Sequence, residues 1–588
     1  MTNPEGPGLE RRLAFAADLL LLCAGVALLV LVLWVEDRGL DLTDESFYLL
    51  AARTPEDIVS VTNFGHYVGV LYAVAQGNVG WFRRLGTLVL LAVALGLVVA
   101  LGPHLRRETD TPRSWVLPAA LGTFGVLGFY SNHWIPSPGY QWLTLVGTLA
   151  GCAGVALALG PAPRARPAGA VLYGAAGVLV FVSKPPSAVV LACLGGALLV
   201  ARAWQWRRGA AEAGEPASGN PVRLALLAAA GVGAACSVHA LAFDSPSAWY
   251  RELTVGYELL ETLGYSEVAS GTVSEILGAL AAPLLQTPVW WGVAPLVVGL
   301  VCHRVPQPPR WLAPFALGAL LVDQVLRGDW TTVQGVAALN LTAAAFVLRA
   351  IWQRAVEGAS WGELLGGALP GSLLCGGVVV AGSFSGAGLV WSSGWAVAFF
   401  AVGGACLLCR ADAALLRVWA YGFALGITLS LVAVLESPYR LTRSIWEQDQ
   451  PGSGRLASLW LEAPTRDYLD QLTRAAEAAG LEQGTLVIDL TGDSPGAVYA
   501  LGGEFVGSAW LVGGVSGSRE CARRTLSLAT PEELAGAWYL LAPGGSRAIS
   551  SEVLSDCGLD FPADYQAVVE VSSPRLGELQ ILYRPRAR

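Results

Sequence analysis

The sequence predicts a polytopic α-helical membrane protein followed by a water-soluble α/β domain. Three observations carry that prediction. The 588 residues are 54% hydrophobic and only 14% charged, with mean hydropathy +0.53, whereas a soluble domain carries roughly 25% charged residues. Apolar runs long enough to cross a hydrocarbon core about 30 Å thick recur between positions 13 and 435. After position 436 they stop, and a mixed polar sequence with strand and helix periodicities takes over.

The first run, 13–35, follows Arg11 and Arg12 and resembles a signal peptide. It is too long for a signal h-region and no small-residue cleavage site follows it, so it is expected to be a helix. Further spans are expected near 86–102, 114–130, 139–160, 169–182, 187–201, 224–243, 288–303, 311–326, 332–348, 367–382, 393–409 and 416–435, for about 13 in all. With the N-terminus in the cytoplasm, the inner connections carry 17 basic residues and the outer ones seven. That bias satisfies the positive-inside rule and places the C-terminal end outside the cytoplasm. The expected division is a membrane domain over 1–436, with outer loops at 36–85 and 244–287, and an extracytoplasmic domain over 437–588. Within the first outer loop, 55–81 mixes apolar, polar and aromatic residues, as short helices in the interface do.

Of 37 basic residues 36 are Arg, and the one Lys is Lys184. That bias, in an Ala/Gly/Leu/Val-rich chain, points to a GC-rich bacterial genome and to a bacterial inner membrane. The net charge of −8 and the lack of a basic stripe speak against a nucleic-acid partner. Eight of ten cysteines lie in or beside apolar runs, where a thiol acts as a small hydrophobe. Cys521 and Cys557 fall in the soluble domain, and an oxidising compartment would allow them to pair as a disulfide.

In the C-terminal part, 463–481 has helical periodicity and Gly484-Thr-Leu-Val-Ile-Asp-Leu490 reads as a buried strand. The turn from Thr491 to Gly496 puts Pro495 at the first position of a helix, with Ser494 as its cap. Further strands are expected at 508–513, 536–541, 566–572 and 577–583. This pattern of about 130 residues is enough for one core. No nucleotide-binding spacing is present, so the turn is read as an ordinary strand-to-helix connection.

The segment that most suggests chemistry follows the first span: Asp41-Leu-Thr-Asp44-Glu45-Ser-Phe-Tyr48. A carboxylate at a low-dielectric boundary has its pKa raised and can take a proton from a hydroxyl or amine. Paired carboxylates can instead hold a divalent cation, and acids after a span can be plain solvated charges. An acidic pair with aromatics, interfacial helices, and then Arg83 and Arg84 opening the second span resemble the GT-C superfamily of glycosyltransferases, the layout of protein O-mannosyltransferases and lipid A aminoarabinose transferases. The resemblance implies a catalytic or metal-binding role for Asp44 or Glu45, and a polyprenyl-phosphate-linked sugar as donor. It also covers Lys184, which follows the apolar Gly177-Val-Leu-Val-Phe-Val-Ser183. Lys184, Arg83 and Arg84 are expected at the donor phosphate, or else as anchors at the interface.

His66, His133, Tyr439 and Arg440, with the serines of 383–386, are expected on the outer face along an acceptor groove; neither histidine shows ligand spacing. The acceptor is left open among glycan, lipid and protein. The soluble domain has no W-W-D-Y-G motif, and the first loop has no D-x-D. The alternatives are a transporter or flippase, for which the spans carry almost no charges apart from Asp323 and Arg327, and a non-catalytic assembly or sensor protein.

Overall fold

The computed structural model describes residues 6–105, 115–160, 162–213, 220–263 and 413–586. The spans expected between 288 and 409, the serines of 383–386, and Asp323 and Arg327 lie outside the described residues. Ten helices run from the N-terminal end: α1 (Gly6–Val35), α2 (Asp44–Arg53), α3 (Phe64–Val74), α4 (Val79–Leu105), α5 (Val116–Asn132), α6 (Tyr140–Ala158), α7 (Arg166–Ser183), α8 (Pro185–Ala213), α9 (Pro221–Ala242) and α10 (Pro246–Thr262). After the next described stretch begins comes α11 (Ala413–Glu436). Five of them, α1, α4, α6, α7 and α9, contain segments long and apolar enough to cross a bilayer. Shorter apolar stretches lie in α3, α5, α8 and α11.

The spans sort by what surrounds them. On α6, 83% of the apolar window is buried, against 28% on α1 and 17% on α9. Leu20 and Val30 of α1 and Val222 and Leu241 of α9 are exposed. Such faces need lipid, because no water-soluble surface presents so much contiguous apolar area. α1 packs on α5 and α11, α4 on α5 and α6, and α7 on α6 and α9. Arg417 of α11 grips Asp18 of α1 through two hydrogen bonds of 3.0 and 3.1 Å. A pair of this kind lets charges sit inside a bundle.

The C-terminal part carries a four-stranded sheet of β3 (Val487–Asp489), β4 (Trp538–Leu541), β6 (Leu579–Pro585) and β5 (Tyr565–Ser572), in that order. β3 and β4 are parallel and the other pairs antiparallel. A hairpin of β1 (Gln450–Pro451) and β2 (Trp460–Leu461) precedes it. The helix expected over 463–481 is observed as Ala463–Ala478.

The strand expected at 508–513 does not form. That segment docks instead: Val59 N donates to Gly507 O at 2.7 Å, Gly513 N to Arg547 O at 2.7 Å, and the Trp510 indole to Gly492 O at 2.9 Å. Its apolar residues are thus paid out to neighbouring loops, so their pattern mimics a strand without a ladder partner. The disulfide expected between Cys521 and Cys557 is absent, both thiols being free. The helices that carry or precede them, Ser518–Leu526 and Glu552–Asp556, are joined instead by Arg519, which pairs with Asp556 at 2.8 Å and with Glu552.

The C-terminal part is seated on the segment between α1 and α4. Gly39 N donates to Trp460 O at 2.8 Å, and Trp460 N to Asp37 O at 2.7 Å. Tyr72 and Tyr499 share a hydroxyl hydrogen bond of 2.7 Å, and Arg53 donates to Gly503 O. Gly496 N donates to Leu42 O, and a Cβ on Gly496 would stand 2.6 Å from Leu42 and 2.8 Å from Ser46. Only glycine lets the helix Pro495–Leu501 lie this close to α2. One continuous apolar cluster runs from α1, α4, α5 and α6 through α2 and α3 into that helix.

Candidate active site

The stretch 41–48, expected as a loop, turns into helix at Asp44. Asp41 closes that first turn. Its carboxylate accepts from Thr43 N at 3.1 Å, Thr43 Oγ1 at 2.7 Å and Glu45 N at 3.3 Å. This is the capping chemistry that orphan amides of a first turn require. Asp41 is thereby spent on structure, and it is 2% exposed.

Glu45 is spent as well. Its Oε1 accepts from Ser137 Oγ at 2.6 Å and from Arg83 Nε at 3.0 Å, and Arg83 Nη2 lies 2.9 Å away. The other Arg83 N–H groups donate to Glu36 O at 2.7 Å and Gly39 O at 2.9 Å. The two side chains are 1% and 0% exposed. Such a guanidinium ties α4, the turn after α1 and α2 into one piece, and it has no donor left for a lipid phosphate. Arg84 donates to Leu33 O at 2.9 Å, pairs with Asp37 at 3.1 Å and lies over the Trp81 ring, and it keeps a quarter of its side chain exposed. The donor-phosphate role expected for Arg83 therefore gives way to a structural one.

Asp44 points the other way. Its Oδ2 lies 2.6 Å from Arg440 Nη1 and accepts from Tyr439 OH at 3.3 Å, and Arg440 also bonds Thr43 Oγ1. This pair keeps 23% and 19% of its side-chain surface exposed. Burial, aided by Asp41, pushes the Asp44 carboxyl up to about 6, against the pull of Arg440. Arg440 adopts a left-handed backbone, φ 57°, and lies 4.6 Å from the Tyr439 ring and 5.7 Å from that of Trp510. His133 meets Tyr439 edge to face at 5.0 Å, and burial and Arg440 push its pKa down to about 4, which keeps it neutral. The structure thus brings Asp44, His133, Tyr439 and Arg440 together.

From the C-terminal domain come two residues the sequence did not single out, Trp510 and Arg547. Arg547 lies 5.3 Å from the Trp510 ring, on which Arg440 also rests, and 3.8 Å from Asp493, which Arg575 already holds. Lys184 directly follows α7; Asn63 N, just before α3, donates to nearby Val182 O, and burial pushes the ammonium down to about 8.

His66 lies elsewhere, with Asp244 from the turn after α9 and Glu252 of α10. His66, Asp244 and Glu252 bring ligand atoms within 4.8 Å of one another. The Asn63 amide donates to Glu252 at 2.8 Å and accepts from the Trp249 indole at 2.9 Å, which holds Glu252 in place. His66 Nε2 approaches Asp244 Oδ2 to 2.7 Å, yet that buried oxygen has no hydrogen-bond donor. One imidazole and two carboxylates with a donor-less buried oxygen suit a divalent cation of the zinc or manganese type. Asp44 and Glu45, the pair expected to hold any metal, are each paired with a different arginine.

No protein-family model matches the chain, and no curated protein matches it. Among solved structures it is similar to ArnT from Cupriavidus metallidurans. The apo form aligns at 14% identity and a TM-score of 0.37, and the form bound to undecaprenyl phosphate at 13% identity and 0.39. Each alignment covers 95% of this chain and 97% of the other.

Proposed function

We propose that this chain is a bacterial inner-membrane glycosyltransferase that moves a sugar from a polyprenyl-phosphate-linked donor to an acceptor at the outer face. The observation that carries the reading is Asp44. Of the three acids in the stretch 41–48, it alone keeps a partly exposed carboxylate, and burial raises that carboxyl to about 6. A general base works best when its pKa lies close to the working pH.

In this mechanism Asp44 takes the proton from the acceptor hydroxyl as its oxygen attacks the anomeric carbon. The bond from that carbon to the lipid phosphate breaks, and the sugar inverts. Lys184 and Arg440 supply fixed positive charge for the departing phosphate, whose low basicity removes the need for an acid on that side. Tyr439 and His133 wall the site. A divalent cation held by His66, Asp244 and Glu252 would cross-link α3 to α10.

The test is transfer of a radiolabelled sugar from a polyprenyl-phosphate donor in proteoliposomes, wild type against Asp44→Asn. Undiminished transfer by the variant removes the proposed base. Flux of the lipid without any loss of its sugar would favour a flippase.

A further inference from the structure

A cavity of about 340 Å³ lies where three segments of the chain meet. Phe47 and 58–60, between α1 and α4, form one wall, α10 from Gly256 to Leu263 another, and 507–525 of the C-terminal domain with Arg547 the third. The walls are built closely. A Cβ on Gly256 would fall 2.4 Å from the Ser60 backbone, so α10 rests directly on the segment between α1 and α4. The volume lies within the roughly 300–1,000 Å³ of small-molecule sites, and the lining is mostly apolar, as theirs is.

Two features say what fits there. Among the described residues Arg547 is the one charged residue in the lining. Among the described residues its guanidinium donates no hydrogen bond; it faces the Trp510 ring and stands 3.8 Å from an Asp493 already held by Arg575. An arginine with unused donors at the edge of an apolar cavity selects an anion. Second, Trp510 lines the cavity and carries on its ring Arg440, the ion-pair partner of Asp44, with Phe47 at 6.4 Å. The cavity is therefore linked to the proposed base through Trp510 and Arg440.

We infer that this cavity is the acceptor subsite, taking an amphiphile whose compact apolar body lies against Leu259, Leu260, Val512 and Val515 and whose phosphate or carboxylate is held by Arg547. The inference rests on the proposed glycosyl transfer for the word acceptor, but not for the binding. The C-terminal domain thereby acquires a role: it supplies the wall and the cation that choose the acceptor.

Cys521 lines the cavity and reports on its occupancy. The full-length protein in nanodiscs is labelled with N-ethylmaleimide and the Cys521 peptide is quantified by mass spectrometry. The probes are octyl phosphate, octanoate, octanol and inorganic phosphate, and Cys23 and Cys193, both exposed, are controls for effects of the bilayer. Octyl phosphate and octanoate are expected to slow labelling of Cys521 alone, octanol weakly and inorganic phosphate not at all. Arg547→Gln should weaken that protection about tenfold, the worth of a charge-assisted hydrogen bond. Val512→Trp, filling the cavity, should abolish it.

Asp44→Asn should leave protection intact while stopping transfer, which separates this inference from the functional one. Equal protection by octanol and octyl phosphate, or an unchanged response in Arg547→Gln, would overturn the anionic site. No protection by any probe would overturn the cavity as a binding site. Where transfer is measured, phosphate and carboxylate acceptors of matched chain length tell the two anion sources apart.

Discussion

Asp44 and Glu45 leave one turn of backbone and end in ion pairs of the same chemistry, yet Glu45 and Arg83 are 1% and 0% exposed whereas Asp44 and Arg440 keep 23% and 19%. The difference comes from who else is present. Glu45 is met by Ser137 and Arg83, and Arg83 by two backbone carbonyls, so no polar atom is left to meet a substrate. Asp44 has one arginine and one tyrosine hydroxyl and is still open on one side. Burial with complete partners makes a carboxylate a fixture; burial with incomplete ones raises its pKa and leaves it able to take a proton.

The comparison can be broken at either pair. The largest effect is expected at Asp44→Asn, where removing a general base costs about 10²–10⁴-fold in rate. Its thermal midpoint should stay close to that of the wild type, as read by a fluorescence melt in detergent. Next comes the structural pair. Glu45→Ala or Arg83→Ala leaves an uncompensated buried charge and should cost about 3–5 kcal/mol of stability. Arg83→Lys should not rescue, since one ammonium cannot reach Glu45, Glu36 O and Gly39 O together.

A smaller and more specific effect concerns pH. With the Asp44 carboxyl raised from 3.8 to about 6, transfer should rise as pH increases through about 6. Arg440 lowers that value, so Arg440→Gln should move the midpoint of the pH–rate profile upward. The sign for stability is opposite to that of a salt-bridged acid. A raised folded-state pKa favours folding at pH below 3.8, and this is lost as pH climbs through about 6. Asp44→Asn should therefore melt no lower than wild type at neutral pH, its small advantage for this partly exposed group vanishing in acid. The smallest effect is expected at the metal cluster. His66→Ala or Asp244→Asn should lower bound divalent metal, measured by elemental mass spectrometry, and Asn63→Ala should do so partially by freeing Glu252.

How far the sequence reached follows the same logic of partners. The spans were legible because a bilayer demands apolar length, and α1, α4, α6, α7 and α9 lie close to where that length predicts. The acidic stretch at 41–48 was legible as unusual, but the division of labour within it was not. Glu45 becomes structural only through Arg83 and Ser137, which lie 38 and 92 positions away. Tyr439 and Arg440 were expected on the outer face from the count of spans, but nothing local tied them to Asp44, 395 and 396 positions earlier. Trp510 and Arg547 carried no signal, since a domain's docking face has no periodicity of its own. Likewise His66 shows no ligand spacing, because Asp244 and Glu252 arrive from another loop.

The most direct measurement pairs two readouts on two neighbouring substitutions, Asp44→Asn and Glu45→Gln: sugar transfer from a polyprenyl-phosphate donor in nanodiscs, and the melting midpoint of the same samples. The account predicts that Asp44→Asn melts like wild type and transfers at least about a hundredfold more slowly, while Glu45→Gln melts earlier and, below its transition, keeps transfer. A stable, inactive Glu45→Gln beside a fully active Asp44→Asn would contradict it.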